Sequence, residues 1–251
     1  MSRIPIRTFG SIAWLPLALA LGACAGSNRY ESLDAETLFL TAQAEYEEGE
    51  YDNAISALER LMVAYQSSPR VPDGRFLLAQ SYFDKGEFVT ARAEYLRFLD
   101  RYIGHESSAA AALGMCKSLA ELVPNPERDQ GFTFEAITMC GNVIIDYAGS
   151  PESTEAAGIR QSMRDILAEK DFLIARGYFR RRQYDPAIKY FQFVVDGYPE
   201  TEFAPQALLG IYRGNEAIGY EDLAAEARSR LLGEYPNSAE AAELLLDPSA
   251  S

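Results

Sequence analysis

The chain has 251 residues, 48% of them apolar, with 37 acidic against 23 basic side chains and a net charge of −14. That length holds one or two ordinary domains. The acidic balance excludes a nucleic-acid surface and a polybasic grip on anionic lipid, since both need clustered cations, and a single histidine with three scattered cysteines leaves no zinc-site spacing.

Residues 1–23 have the three parts of a secretory signal. Arg3 and Arg7 give a positive start, residues 12–21 give an apolar run broken by Pro16, and the small Gly22 and Ala23 follow. A spanning helix needs roughly twenty apolar residues, so this run targets the chain without crossing a bilayer. The order Leu21-Gly22-Ala23-Cys24 resembles a bacterial lipobox. That resemblance implies acylation of Cys24, which becomes the new N-terminus and anchors stably because several acyl chains are attached. Ala25 follows where an aspartate would imply inner-membrane retention, so the implied location is the periplasmic face of the outer membrane. Residues 24–34 read as a lipidated tether, 35–246 as a repeat domain, and 247–251 as a tail.

The repeat domain follows one ruler, an alanine with a tyrosine eleven residues later: Ala54/Tyr65, Ala91/Tyr102, Ala136/Tyr147, Ala187/Tyr198 and Ala224/Tyr235. Between them apolar residues recur at helical spacing, as at Leu58, Leu61 and Met62. Each alanine is small where two helices come close, and each tyrosine ends its helix. Upstream of the turns at 49–51 and 86–88 lie further helical patterns, "ETLFLTAQAEYEE" and "GRFLLAQSYFDK". Helix, Gly-aromatic turn, second helix, tyrosine: the pattern resembles the tetratricopeptide repeat, and implies an all-α solenoid of about five helix pairs. The expected repeats are 35–69, 72–105, 106–151, 155–200 and 203–238. The ruler alanines are 37, 45, 51 and 37 apart, so helices or connections exceed the basic repeat, with "LVPNPERDQG" at 122–131 read as a long loop. Arg182 stands where the turn glycine is expected in the fourth repeat.

Counting back from Ala54 and Ala91, the positions that line a concave face fall at Phe39, Gln43 and Tyr46, then Phe76, Gln80 and Phe83. Two aromatics and an amide per repeat suit an extended peptide with aromatic side chains. The same rings can instead be core. The cluster Arg176, Arg180, Arg181 and Arg182 reverses the local charge and either meets an acidic partner or favours a helix C-terminus. Cys116 and Cys140 either pair, as an oxidising compartment permits, or stay as free core thiols on apolar faces, with the free thiols slightly favoured. No nucleophile elbow, Walker loop or paired-histidine site is present, and His105 reads as a solvated or capping residue. Nothing calls for an enzyme, a metal or a cofactor.

With the anchor and repeats placed, residues 35–238 resemble the BamD family, the tetratricopeptide lipoproteins of outer-membrane β-barrel assembly. The resemblance rests on the five repeats, "RDQ" at 128–130, "LAEKDFLIARGYFRRRQYDPAI" and "GYPETEFAPQAL". It implies a non-enzymatic scaffold. Its N-terminal repeats would meet unfolded outer-membrane proteins, and its C-terminal repeats the periplasmic domains of the central barrel subunit, with accessory lipoproteins as further partners. Membrane contact would run through the lipid alone. The competing class is another repeat lipoprotein, a secretin pilotin or an adaptor for cell-wall enzymes.

Overall fold

The computed structural model describes residues 29–246; Cys24, the signal segment and residues 247–251 lie outside the described residues. Within them the chain forms eleven α-helices and no strand: α1 Ala35–Glu47, α2 Tyr51–Ala64, α3 Val71–Asp84, α4 Phe88–Arg101, α5 Ser108–Glu121, α6 Gly131–Asp146, α7 Pro151–Arg180, α8 Tyr184–Gly197, α9 Phe203–Ile218, α10 Glu221–Glu234 and α11 Ala239–Leu246. Each helix packs on its neighbours in sequence, giving an α-solenoid of five helix pairs closed by α11. No described helix is long and apolar enough to cross a membrane.

The ruler has a physical cause. Ala54, Ala91, Ala136 and Ala187 are fully buried, and Ala224 nearly so, where the second helix of each pair approaches the first. Tyr65, Tyr102, Tyr147, Tyr198 and Tyr235 all cap their helices, leaving helical backbone while still donating an N–H four residues back. Two also fasten the stack. The Tyr65 hydroxyl donates to the Leu33 carbonyl at 2.8 Å, and the Tyr235 hydroxyl to the Pro199 carbonyl at 2.7 Å.

The turns inside four of the five pairs share one geometry. Gly49, Gly86 and Gly219 take φ of 78°, 85° and 80°. The residue after each donates its N–H back to a carbonyl of the preceding helix, closing it as a left-handed cap. Arg182 occupies the same station at φ 59°, the one non-glycine in this region among the described residues. Its neighbour Gln183 still donates to the Tyr178 carbonyl at 3.1 Å, so the turn is kept against the side chain's own preference.

The irregular spacings have two separate origins. The 45-residue step contains the 122–130 loop, locked from inside by Gln130. This side chain is 2% exposed, donates to the Asn125 and Arg128 carbonyls, and accepts from the Thr133 hydroxyl. The 51-residue step is helix instead. α7 has 30 residues, about 45 Å at 1.5 Å each, and packs its first half on α5 and α6 and its second on α8 and α9.

Two expectations are corrected. Cys116 and Cys140 are not free thiols: both are fully buried and joined by a disulfide, their Cα atoms 5.1 Å apart, across the α5–α6 pair. Apolar helical faces were a poor guide because such faces are where two helices bring Cβ atoms together. The tether also does not run loose to Asp34. Tyr30 is buried with Leu38, Ala42 and Leu58, and Arg29 pairs with Glu45 at 3.1 Å.

Candidate functional site

The first helices α1, α3, α5 and the start of α7 line a groove of about 290 Å³. Four of the six anticipated residues meet there: Tyr46 from α1 and Phe76, Gln80 and Phe83 from α3. All four are half-buried, so each ring serves both core and surface. Phe76 lies 5.6 Å from the Phe98 ring and 6.1 Å from that of Tyr95, and Phe83 meets Phe88 edge-on at 5.4 Å. The remaining two lie elsewhere. Phe39 sits under the Arg70 guanidinium at 5.1 Å, itself held by two 2.7 Å bonds to Glu36. Gln43 is exposed and bonds Glu47 at 3.2 Å.

Sequence reasoning missed the far wall. Tyr95, Leu113, Gly114 and Lys117 reach the groove from α4 and α5, and Glu152 and Glu155 from α7. Gly114 has a packing reason: a Cβ there would fall 2.3 Å from the Tyr95 ring. A glycine inside an otherwise good helix was the available signal. Tyr46 donates a short hydrogen bond to Asp84, and burial followed by that bond holds its hydroxyl protonated well above the usual tyrosine range. Burial does the same to Tyr95, with the Asp84 charge second. Lys117 is held by Glu155 at 2.5 Å. The groove therefore has an aromatic floor, a Tyr46 hydroxyl committed to Asp84, the Tyr95 hydroxyl, and a rim with more carboxylates than cations.

A second groove of about 250 Å³ lies between the end of α7, α9 and α11. Phe172, Phe179 and Phe191 form its floor, and Gly210 repeats the role of Gly114, since a Cβ there would meet the Phe191 ring at 2.5 Å. Arg176 reaches this groove, its guanidinium 5.9 Å above Phe172. Across from it Arg213 is paired with Glu243. The other three arginines do not join Arg176. Arg180 sits in the last turn of α7, Arg181 lies 5.0 Å over the Tyr178 ring, and Arg182 makes the turn; all are exposed.

His105 caps a turn, its Nδ1 accepting from the Ser107 N–H at 3.2 Å and its ring edge-on to Phe98 at 5.3 Å. Among the described residues no group of His, Cys, Asp and Glu is arranged to hold a metal ion.

These features define a class, a tetratricopeptide-type solenoid with two grooves on its first helices and no assembled catalytic group among the described residues. The sequence pattern of the YfiO family, described as an outer membrane lipoprotein, matches residues 31–241, and the chain belongs to that family. It is similar to the outer membrane protein assembly factor BamD of Caulobacter vibrioides, 23% identical over 84% of this chain and 71% of that one. It is similar to the BamD of Rickettsia prowazekii at the same identity, over 90% of this chain and 91% of that one. Among solved structures, the TPR2AB domain of yeast Sti1 in its pHSP90 complex aligns at TM-score 0.45 and 14% identity, covering 82% and 80% of the two chains.

Proposed function

We propose that the protein is an outer-membrane assembly factor, held at the periplasmic face by acylated Cys24, that binds incoming outer-membrane proteins in its first groove and the central barrel subunit at its second. The observation that carries this reading is the family match across 31–241 together with two relatives named for outer membrane protein assembly. The grooves supply the chemistry. An extended segment with aromatic side chains would stack on Phe76 and Phe83 while Gln80 pairs its backbone. Arg176, backed by exposed Arg180, Arg181 and Arg182, would steer an acidic periplasmic domain towards the second groove.

The test is capture from outer-membrane extract followed by identification of what is held. Recovery of a large barrel with periplasmic transport domains supports the reading. Recovery of a secretin or a cell-wall hydrolase in its place overturns it and moves the protein to the pilotin or adaptor class. For the first groove, Phe83→Ala should weaken binding of an aromatic-ended peptide at least several-fold, and Phe39→Ala, outside the groove, should not.

A further inference from the structure

Residues 29 and 30 and the first groove meet on one turn of α1, at Glu45 and Tyr46. Glu45, near the end of α1, is 5% exposed, and its carboxylate accepts from the Tyr30 hydroxyl at 2.9 and 3.0 Å and pairs with Arg29 at 3.1 Å. Tyr30 is itself 5% exposed, packed into the core of the first pair. Burial and then the Glu45 carboxylate push its hydroxyl up to about 12, so it stays a donor throughout the physiological range. Three residues on, the Leu33 carbonyl is held by Tyr65 at 2.8 Å. Residues 29–33 are thus fastened to both helices of the first pair. The next side chain after Glu45 is Tyr46, which floors the groove.

We propose that residues 29–33 are a strap that shortens the membrane leash and thereby holds the first groove close to the lipid surface. This rests on acylation of Cys24, and on nothing about what the groove binds. With the strap fastened, only five chain steps separate Cys24 from Arg29, a reach of at most about 18 Å. A leash free to Asp34 would span ten steps, about twice that. The buried charge of Glu45 matters because a carboxylate out of water needs its partners in place. Arg29 and Tyr30 supply them, so peeling the strap away would leave the last turn of α1 with an unpaired charge beside Tyr46. The lipid surface is the partner that this arrangement fits: the short segment leads from the lipidated residue directly to the first helix pair.

The mature chain has no tryptophan, Trp14 being its only one and lying in the signal segment. A Leu40→Trp reporter on the exposed face of α1 therefore gives a single donor for energy transfer to dansyl-headgroup lipid. The full acylated chain is reconstituted into phosphatidylethanolamine–phosphatidylglycerol vesicles and first floated. Transfer should be strong. It should fall at least twofold when ten Gly/Ser residues are inserted between Ser27 and Asn28, and also with Tyr30→Ala. The insertion leaves every described contact in place, so it remains informative should Tyr30→Ala lose helicity. A chain that floats but transfers equally with and without the insertion overturns the strap and leaves the anchor standing. A chain that does not float overturns the anchor, and the strap's role falls with it.

Discussion

The two grooves are built alike and charged differently. In each, a glycine on a first helix leaves room for an aromatic ring from the preceding second helix: Gly114 for Tyr95, and Gly210 for Phe191. In each, phenylalanines shared with the core make the floor. The first groove then carries Asp84, Glu152 and Glu155 against a single Lys117, whereas the second carries Arg176 and Arg213 against Glu240 and Glu243. Repetition therefore sets the shape of a groove, and the side chains outside the repeat pattern set what it attracts. The halves differ also in how they are held. The third pair is stapled by Cys116–Cys140, while the fourth and fifth rely on packing around Phe191, Leu208 and Leu231.

That contrast can be broken most forcefully at the staple. Replacing both Cys116 and Cys140 by alanine should cost about 2–4 kcal/mol, as expected for opening a loop of this size. Because α5 lines only the first groove, aromatic-peptide binding should weaken while binding at the second groove holds. Chemical denaturation with both binding assays reads this directly.

The glycines come next. Gly114→Ala and Gly210→Ala should each lose roughly 1–3 kcal/mol, because the added methyl displaces a packed ring and overrides the helix propensity gained. The two substitutions should separate functionally, each impairing the groove in which it lies. Equal impairment of both grooves by either one would mean that the solenoid transmits the shift along its length.

Arg182→Gly works in the opposite direction. Relieving the left-handed strain should stabilise the protein by about 1 kcal/mol, raising Tm by roughly 2–4 °C. Calorimetry gives the answer, and no gain would show that the arginine side chain returns more in contacts than its backbone costs.

The smallest effect concerns Asp171 on α7. Burial raises its carboxyl above the usual range, with Lys170 opposing. A carboxyl raised on folding costs stability at neutral pH and recovers it as pH falls through its folded value. Asp171→Asn should thus stabilise by a few tenths of a kcal/mol at pH 7, with the advantage vanishing in the acidic range. Glu200 behaves oppositely: its hydrogen bond from Arg164 holds the carboxyl low, so that contribution is present at neutral pH and lost on acidification. Tm against pH for the wild type and Asp171→Asn separates the two.

Much of the architecture was readable in advance because its cause is local. An alanine where helices touch, a tyrosine at the end of each pair's second helix and a glycine at three of the turns are imposed by backbone geometry within one repeat, so they recur in the sequence. Tyr46, Phe76, Gln80 and Phe83, chosen by counting along a repeating unit, line one groove, and what that groove binds is the proposal. Phe39 was misassigned to the groove since Arg70, one pair further on, covers its ring.

The sequence by itself determined the helical repeat, its five copies and the positions of two groove-forming first helices, all of which follow from periodicity. Only the tertiary structure decided which residues close each groove, since Gly114, Lys117 and Glu155 belong to elements whose approach depends on the 122–130 loop and the length of α7. It also decided that Cys116 meets Cys140, and that Arg29 and Tyr30 leave the tether to join a helix pair. Contacts between distant segments are fixed by packing and by the need to pair a buried charge, and neither leaves a period in the chain.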